Sequence, residues 1–154
     1  MLSIDYDARG LRVAISHRRP STMRDDYGDV IRKALSDDKA WAEEPGRSLA
    51  GRLLHVALFT EALKAVSDAR ARGTLLCFKE WGTLDRFELA TGGRTISYEL
   101  TRGTSTLILR REGFPPSLVP GDQQRVAVEA PLSVPDSAEL ARRLISDAVS
   151  LLFR

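Results

Sequence analysis

The stretch Arg86-Phe87-Glu88-Leu89-Ala90-Thr91-Gly92-Gly93-Arg94-Thr95-Ile96-Ser97-Tyr98-Glu99-Leu100 decides how this chain folds. Phe87 and Leu89 before the glycine pair, and Ile96, Tyr98 and Leu100 after it, alternate with Arg86, Glu88, Thr95, Ser97 and Glu99. Strict alternation is the mark of a strand buried on one face. Thr91-Gly92-Gly93 is a turn of the kind that joins antiparallel neighbours. Outward along the chain the pattern repeats at Leu107 and Leu109, and again at Val126, Val128 and Ala130, with a second turn at Thr101-Arg102-Gly103. Upstream, Leu75-Leu76-Cys77-Phe78 is apolar at every position, which predicts a strand at the centre of the sheet or beneath an extra cover. The connections are too short for parallel crossovers.

The N-terminus shows the same period. Leu2, Ile4 and Tyr6, then Leu11, Val13 and Ile15, alternate with polar residues around Ala8-Arg9-Gly10, which predicts a hairpin. Pro20 is expected to end it, with Ser21 or Thr22 capping a helix that carries Asp25 and Asp26 in its first turn. Tyr27, Val30, Ile31, Ala34, Leu35 and Trp41 would form that helix's apolar face, and Pro45-Gly46 its stop. A second helix is expected from about Ser48 to Arg72, with Leu49, Leu53, Val56, Ala57, Leu63 and Val66 on its stripe and Gly73 as its C-terminal stop. Leu53 and Val56 are expected to pack on Leu76 and Phe78. A closing helix should begin at Asp136 or Ser137, with Glu139 completing a capping box, and bury Leu140, Leu144, Ile145, Ala148 and Leu152.

The expected architecture is therefore a single α+β domain spanning 1–154. One antiparallel sheet, made of an N-terminal hairpin and five later strands, is covered on its apolar face by two central helices and the C-terminal helix. The chain's 154 residues are 43% hydrophobic, enough for a sizeable core. The formal charge of +2 comes from 23 basic and 21 acidic residues. That balance argues against a dedicated nucleic-acid binder. One Cys rules out an internal disulfide, and two His with one Cys leave no Cys/His zinc site. The start Met1-Leu2-Ser3-Ile4-Asp5 lacks the basic flank and apolar run of a signal peptide. No stretch is apolar for long enough to span a bilayer. A soluble, cytoplasmic protein is expected.

Motifs for chemistry are sparse. Ser3-Ile4-Asp5-Tyr6-Asp7 followed by Leu11-Arg12-Val13 is similar to the first hairpin of ribonuclease-H-like nucleases, where a strand carboxylate holds Mg²⁺; that chemistry needs further carboxylates from other strands. His17 and His55 are the candidate general bases near neutral pH, and Cys77 reads as a core thiol. No Gly-x-Ser-x-Gly elbow and neither of the familiar glycine-rich phosphate loops occurs. The acid pairs Asp25/Asp26, Asp37/Asp38 and Glu43/Glu44 read as a solvated helix face. Arg outnumbers Lys nineteen to four, but Arg86, Arg110 and Arg125 share their face with Glu88, Glu99 and Glu129. That mixture predicts cross-strand ion pairs.

The feature that stands out is the proline-rich loop Glu112-Gly113-Phe114-Pro115-Pro116-Ser117-Leu118-Val119-Pro120-Gly121-Asp122. Its apolar residues either tuck into the edge of the core or are held out to a partner by a rigid scaffold. Phe114, Leu118 and Val119, with Trp81 at another turn, are the candidate partner-binding residues. No catalytic, metal or cofactor residue is assigned and no cofactor is expected. The element order is similar in outline to the helix-grip proteins, which enclose apolar ligands. The reading this leaves is a non-catalytic protein-binding module of the immunity, antitoxin or chaperone kind. Its partner would be another protein, with no membrane or nucleic acid, and self-association stays open. The alternative is a small-ligand-binding or enzymatic domain with a pocket between sheet and C-terminal helix.

Overall fold

Both segments flanking Gly92-Gly93 are strands, and the two glycines turn the chain with φ of 53° and 78°, a region that costs glycine little. The structure, a computed structural model, describes residues 2–7, 10–16, 20–24, 49–81, 86–102, 106–129 and 133–154. In chain order the elements are β1 (Leu2–Asp7), β2 (Gly10–Ser16), β3 (Pro20–Arg24), α1 (Leu49–Ala71), β4 (Cys77–Trp81), β5 (Arg86–Thr91), β6 (Arg94–Arg102), β7 (Thr106–Phe114), β8 (Arg125–Glu129) and α2 (Val134–Leu152). Among the described residues the strands form one sheet in the order β3-β2-β1-β4-β5-β6-β7-β8. Every neighbouring pair is antiparallel.

The five later strands follow the alternation and β4 is central in the described sheet. Half of the apolar run expected to form β4 lies ahead of it, however: Leu75 and Leu76 precede the strand, which continues from Cys77-Phe78 into Lys79-Glu80-Trp81. The N-terminal unit differs. Residues expected to open a helix instead form β3, which pairs Ser21 with Ile15, Thr22 with Ala14 and Met23 with Val13. Pro20 begins this strand, at the outer edge of the described sheet, where a missing N–H is tolerated. The hairpin is thus extended to three strands. The expected helix from Tyr27 to Trp41, the three acid pairs, the Ala8-Arg9 turn, His17 and Gly82-Thr83 lie outside the described residues.

α1 matches the expected span and ends as Gly73 predicted. Gly73 has φ of 80°. Its N–H donates to the Arg70 carbonyl at 3.0 Å, and the Thr74 N–H reaches back to Ala69 O at 2.9 Å. These two bonds make a Schellman closure. The buried stripe is Leu54, Leu58, Ala62, Val66 and Ala69, with Phe59 beside it. Ala57 and Leu63 are half-buried at its margin. The side chains of Leu53, His55 and Val56 lie outside the described residues, while their expected neighbours Leu76 and Phe78 are buried.

α2 starts earlier than the capping pattern suggested. Ser133 is the cap, its Oγ accepting the Asp136 N–H at 3.1 Å. The helix runs through Pro135, which the first turn accommodates because its N–H would have no helical partner there. Glu139 is free of capping duty and pairs with the Arg142 guanidinium. That contact holds the Glu139 carboxyl below its usual range and the Arg142 guanidinium above its own. All five apolar residues expected on the buried face are buried, together with Ala141 and Leu151.

The two helices pack side by side on one face of the sheet. Ile4, Phe78, Phe87, Leu89, Ile96, Tyr98 and Leu109 meet both helix stripes in a single hydrophobic cluster. Among the described residues no helix is long and apolar enough to cross a membrane. Leu58 lies on α1 with 1% of its surface exposed. Leu58→Ala is expected to cost about 2–5 kcal/mol in chemical denaturation, the range for a fully buried large-to-small change. A loss below about 0.5 kcal/mol would place Leu58 outside the core.

Candidate protein-binding surface

The proline-rich loop is built onto the end of β7. After Phe114, whose bond to Pro115 is cis, the chain makes two short 3-10 turns, Pro116–Leu118 and Gly121–Gln123. Each is closed by a backbone bond to the residue before it: Leu118 N–H to Pro115 O at 3.0 Å and Gln123 N–H to Pro120 O at 2.9 Å. The loop folds back over β7 tightly. A methyl group added at Gly113 would lie 2.9 Å from Leu118 Cβ and 3.1 Å from Val119 Cγ2, so only glycine admits this approach.

The candidate residues separate. Leu118 and Val119 are buried in the main cluster, whereas Phe114 is 67% exposed. Strand parity explains the split. Gly113 pairs with Ile96 on the helix-covered face, so Phe114, paired with Thr95, falls on the other. Trp81 pairs with Arg86 at the opposite end of the β4–β5 hairpin; its side chain lies outside the described residues. The structure does not bring Trp81 and Phe114 together.

Beneath the loop lies a polar contact that sequence alternation masks. Arg111 continues the Leu107, Leu109 series onto the covered face, where it is buried and pairs in register with Tyr98. Its Nε donates to the Gln123 carbonyl and its backbone N–H to Gln124 O at 2.7 Å. Tyr98 stacks on Phe87, with ring centres 4.6 Å apart and planes 7° from parallel. Its hydroxyl donates to the Leu144 carbonyl of α2 at 3.3 Å. Burial pushes the phenol up to about 12, with the neighbouring Arg111 guanidinium opposing the shift. At the far end of this row Glu80, 1% exposed, pairs in register with Phe87. The period-two signal was present for Arg111, but in Leu109-Arg110-Arg111 two adjacent arginines hide which one points inward.

The face turned away from α1 and α2 carries mixed charge as expected, and among the described residues the ion pairs given by geometry there run along strands. Arg86 meets Glu88 at 3.8 Å and Arg110 meets Glu112 at 3.1 Å. Residues two apart on a strand share a face, so these pairs form without crossing to a neighbour. Cys77, expected in the core, is half-buried because it pairs with Ala90 on this face. Leu75, just before β4, is 57% exposed. Two surface clefts adjoin the loop, one of 230 Å³ between Arg110, Gly113, Pro116 and Gln124, the other of 390 Å³ between Arg110, Asp122 and Arg125. Among the described residues no three His, Cys, Asp or Glu side chains converge as metal ligands would. No protein-family model, curated protein or solved structure matches the chain.

Gly113→Ala is expected to lose about 1–3 kcal/mol through overpacking against Leu118 and Val119, read as a lower melting temperature. The buried phenol sets an alkaline limit. The folded protein holds this proton more tightly than the unfolded chain, so the stability it contributes is intact below about pH 10 and is lost as pH rises toward about 12. In urea titrations at stepped pH, the wild type should weaken over that interval more steeply than Tyr98→Phe. Parallel curves would show that the hydroxyl titrates normally.

Proposed function

We propose that this protein is a non-catalytic protein-binding module, of the kind that sequesters a partner as immunity proteins, antitoxins and chaperones do. The observation that carries the reading is the exposed Phe114 ring on a loop whose neighbours Leu118 and Val119 are locked into the core. Three prolines within the loop and bonds at both of its turns restrict it before any partner arrives. An apolar anchor held this way loses little entropy on binding. Packing between sheet and C-terminal helix favours this reading over the ligand-pocket alternative. Leu140, Leu144, Ile145 and Ala148 are all buried there against the sheet cluster.

Titration calorimetry against the products of neighbouring genes tests the proposal, with Phe114→Ser and Leu118→Ser beside the wild type. Phe114→Ser should weaken binding at least about tenfold with little change in melting temperature, while Leu118→Ser should lower the melting temperature. Absence of binding to any neighbouring product, or an affinity untouched by Phe114→Ser, refutes the assignment.

A further inference from the structure

The outer edge of β8 carries a sequence that matches itself. Arg125-Val126-Ala127-Val128-Glu129 is symmetric in side-chain class about Ala127 and opposite in charge at its ends. Among the described residues nothing pairs with this edge, since β8 is the last strand of the sheet. The Arg111 N–H bonded to Gln124 O fixes which β8 residues face β7. By the alternation of an antiparallel ladder, Val126 and Val128 turn their backbone groups toward β7, and Arg125, Ala127 and Glu129 turn theirs outward.

We propose that this edge pairs with a second copy of the chain, antiparallel and with a two-fold axis at Ala127, to form a dimer with one continuous sheet. In that register Arg125, Ala127 and Glu129 each exchange both backbone hydrogen bonds with the second strand. Arg125 lies directly opposite Glu129 of the second copy, and the same pair recurs across the axis, as an isologous interface requires. On the helix-covered face, the half-buried Val126 and Val128 meet Val128 and Val126 of the second copy.

Charge is the strongest argument for this occupant. Within its own chain Arg125 sits opposite Arg110, a like charge, and the carboxylate of Glu112 is engaged by Arg110. Glu129 sits opposite the uncharged Thr106. Neither Arg125 nor Glu129 forms an ion pair with any described residue. Like charges across a ladder destabilise and opposite ones stabilise, so the second copy relieves Arg125 and gives Glu129 a partner. Charged residues also guard free edges against random pairing. A guard needs charge alone, whereas this strand places opposite charges equidistant from its centre. The inference rests on the β8 edge and is independent of the reading of Phe114.

Sedimentation velocity on the full chain, over a concentration series, tests the dimer. The wild type should sediment as a dimer. Glu129→Arg should weaken association about tenfold or more by setting arginines against one another, and Arg125→Glu should do the same with acids. The double exchange Arg125→Glu/Glu129→Arg restores opposite charges and should restore the dimer. Ala127→Pro removes the outward N–H at the axis without touching the β7 ladder and should also give a monomer, with circular dichroism confirming that each variant is folded. A wild type that stays monomeric throughout the series overturns the proposal. So does a dimer that survives Glu129→Arg and Ala127→Pro unchanged, or one that the double exchange fails to recover.

Discussion

One row of side chains across the covered face of the sheet holds the other parts in place. It runs through Glu80, Phe87, Tyr98 and Arg111, one residue from each of β4, β5, β6 and β7. Tyr98 is its hub: the ring stacks on Phe87, the hydroxyl reaches the Leu144 carbonyl of α2, and Arg111 stands beside it. Arg111 in turn holds the Gln123 carbonyl at the end of the proline-rich loop. A buried hydroxyl without a partner costs more than its hydrogen bond returns. The position of α2 over β6 is thereby coupled to the register of the sheet. A one-residue slip of any of these strands would turn its member of the row to the opposite face and bring a neighbouring residue under the helices in its place.

The loop's geometry follows from the same parity. Arg111 and Gly113 face the helices, so the chain can fold Leu118 and Val119 back over Gly113 only because no side chain stands there. Phe114, the next residue, has no choice of face. Its exposure is a consequence of strand alternation and of the sharp turn that follows at Pro115 and Pro116. A second tie secures the far end of α2, where Arg94, at the start of β6, donates to the Leu152 carbonyl at 2.6 Å. A cation at a helix C-terminus also offsets the helix dipole. Beyond its apolar packing, the hairpin that decides the fold is thus tied to α2 by hydrogen bonds from Tyr98 and from Arg94.

What could be read from the residues depended on how local the cause was. The strands at Phe87, Ile96, Leu107 and Val126, the Gly73 stop and the buried face of α2 are set by periodicity and by single-residue conformational limits, so they were legible. The strand at Pro20–Arg24 was not, because its pairing with β2 is a tertiary contact, and Pro20 followed by Ser21 and Thr22 resembles a helix start just as well. The cap of α2 differs from the expected one for a related reason: Pro135 reads as a breaker unless it falls in the first turn, where it is tolerated. At the loop, composition showed that Phe114, Leu118 and Val119 must either tuck in or be presented. Which residue did which depended on the register of Gly113 against Ile96, and that emerges only once β6 and β7 are paired.

The charges on the face turned away from α1 and α2 bear on how such a surface could discriminate. Arg86 with Glu88, and Arg110 with Glu112, neutralise one another within their own strands. Exposed pairs of this kind add little to stability. Their effect is on the character of this face, where the described residues set each charge beside its opposite. In the proposed reading, selectivity falls to short-range features: an aromatic ring held clear of the sheet, and an edge strand whose end charges, paired with no described residue, require a particular order in whatever lies beside it. Both are fixed by the register of β7, the strand that carries Phe114 at its end and β8 along its side.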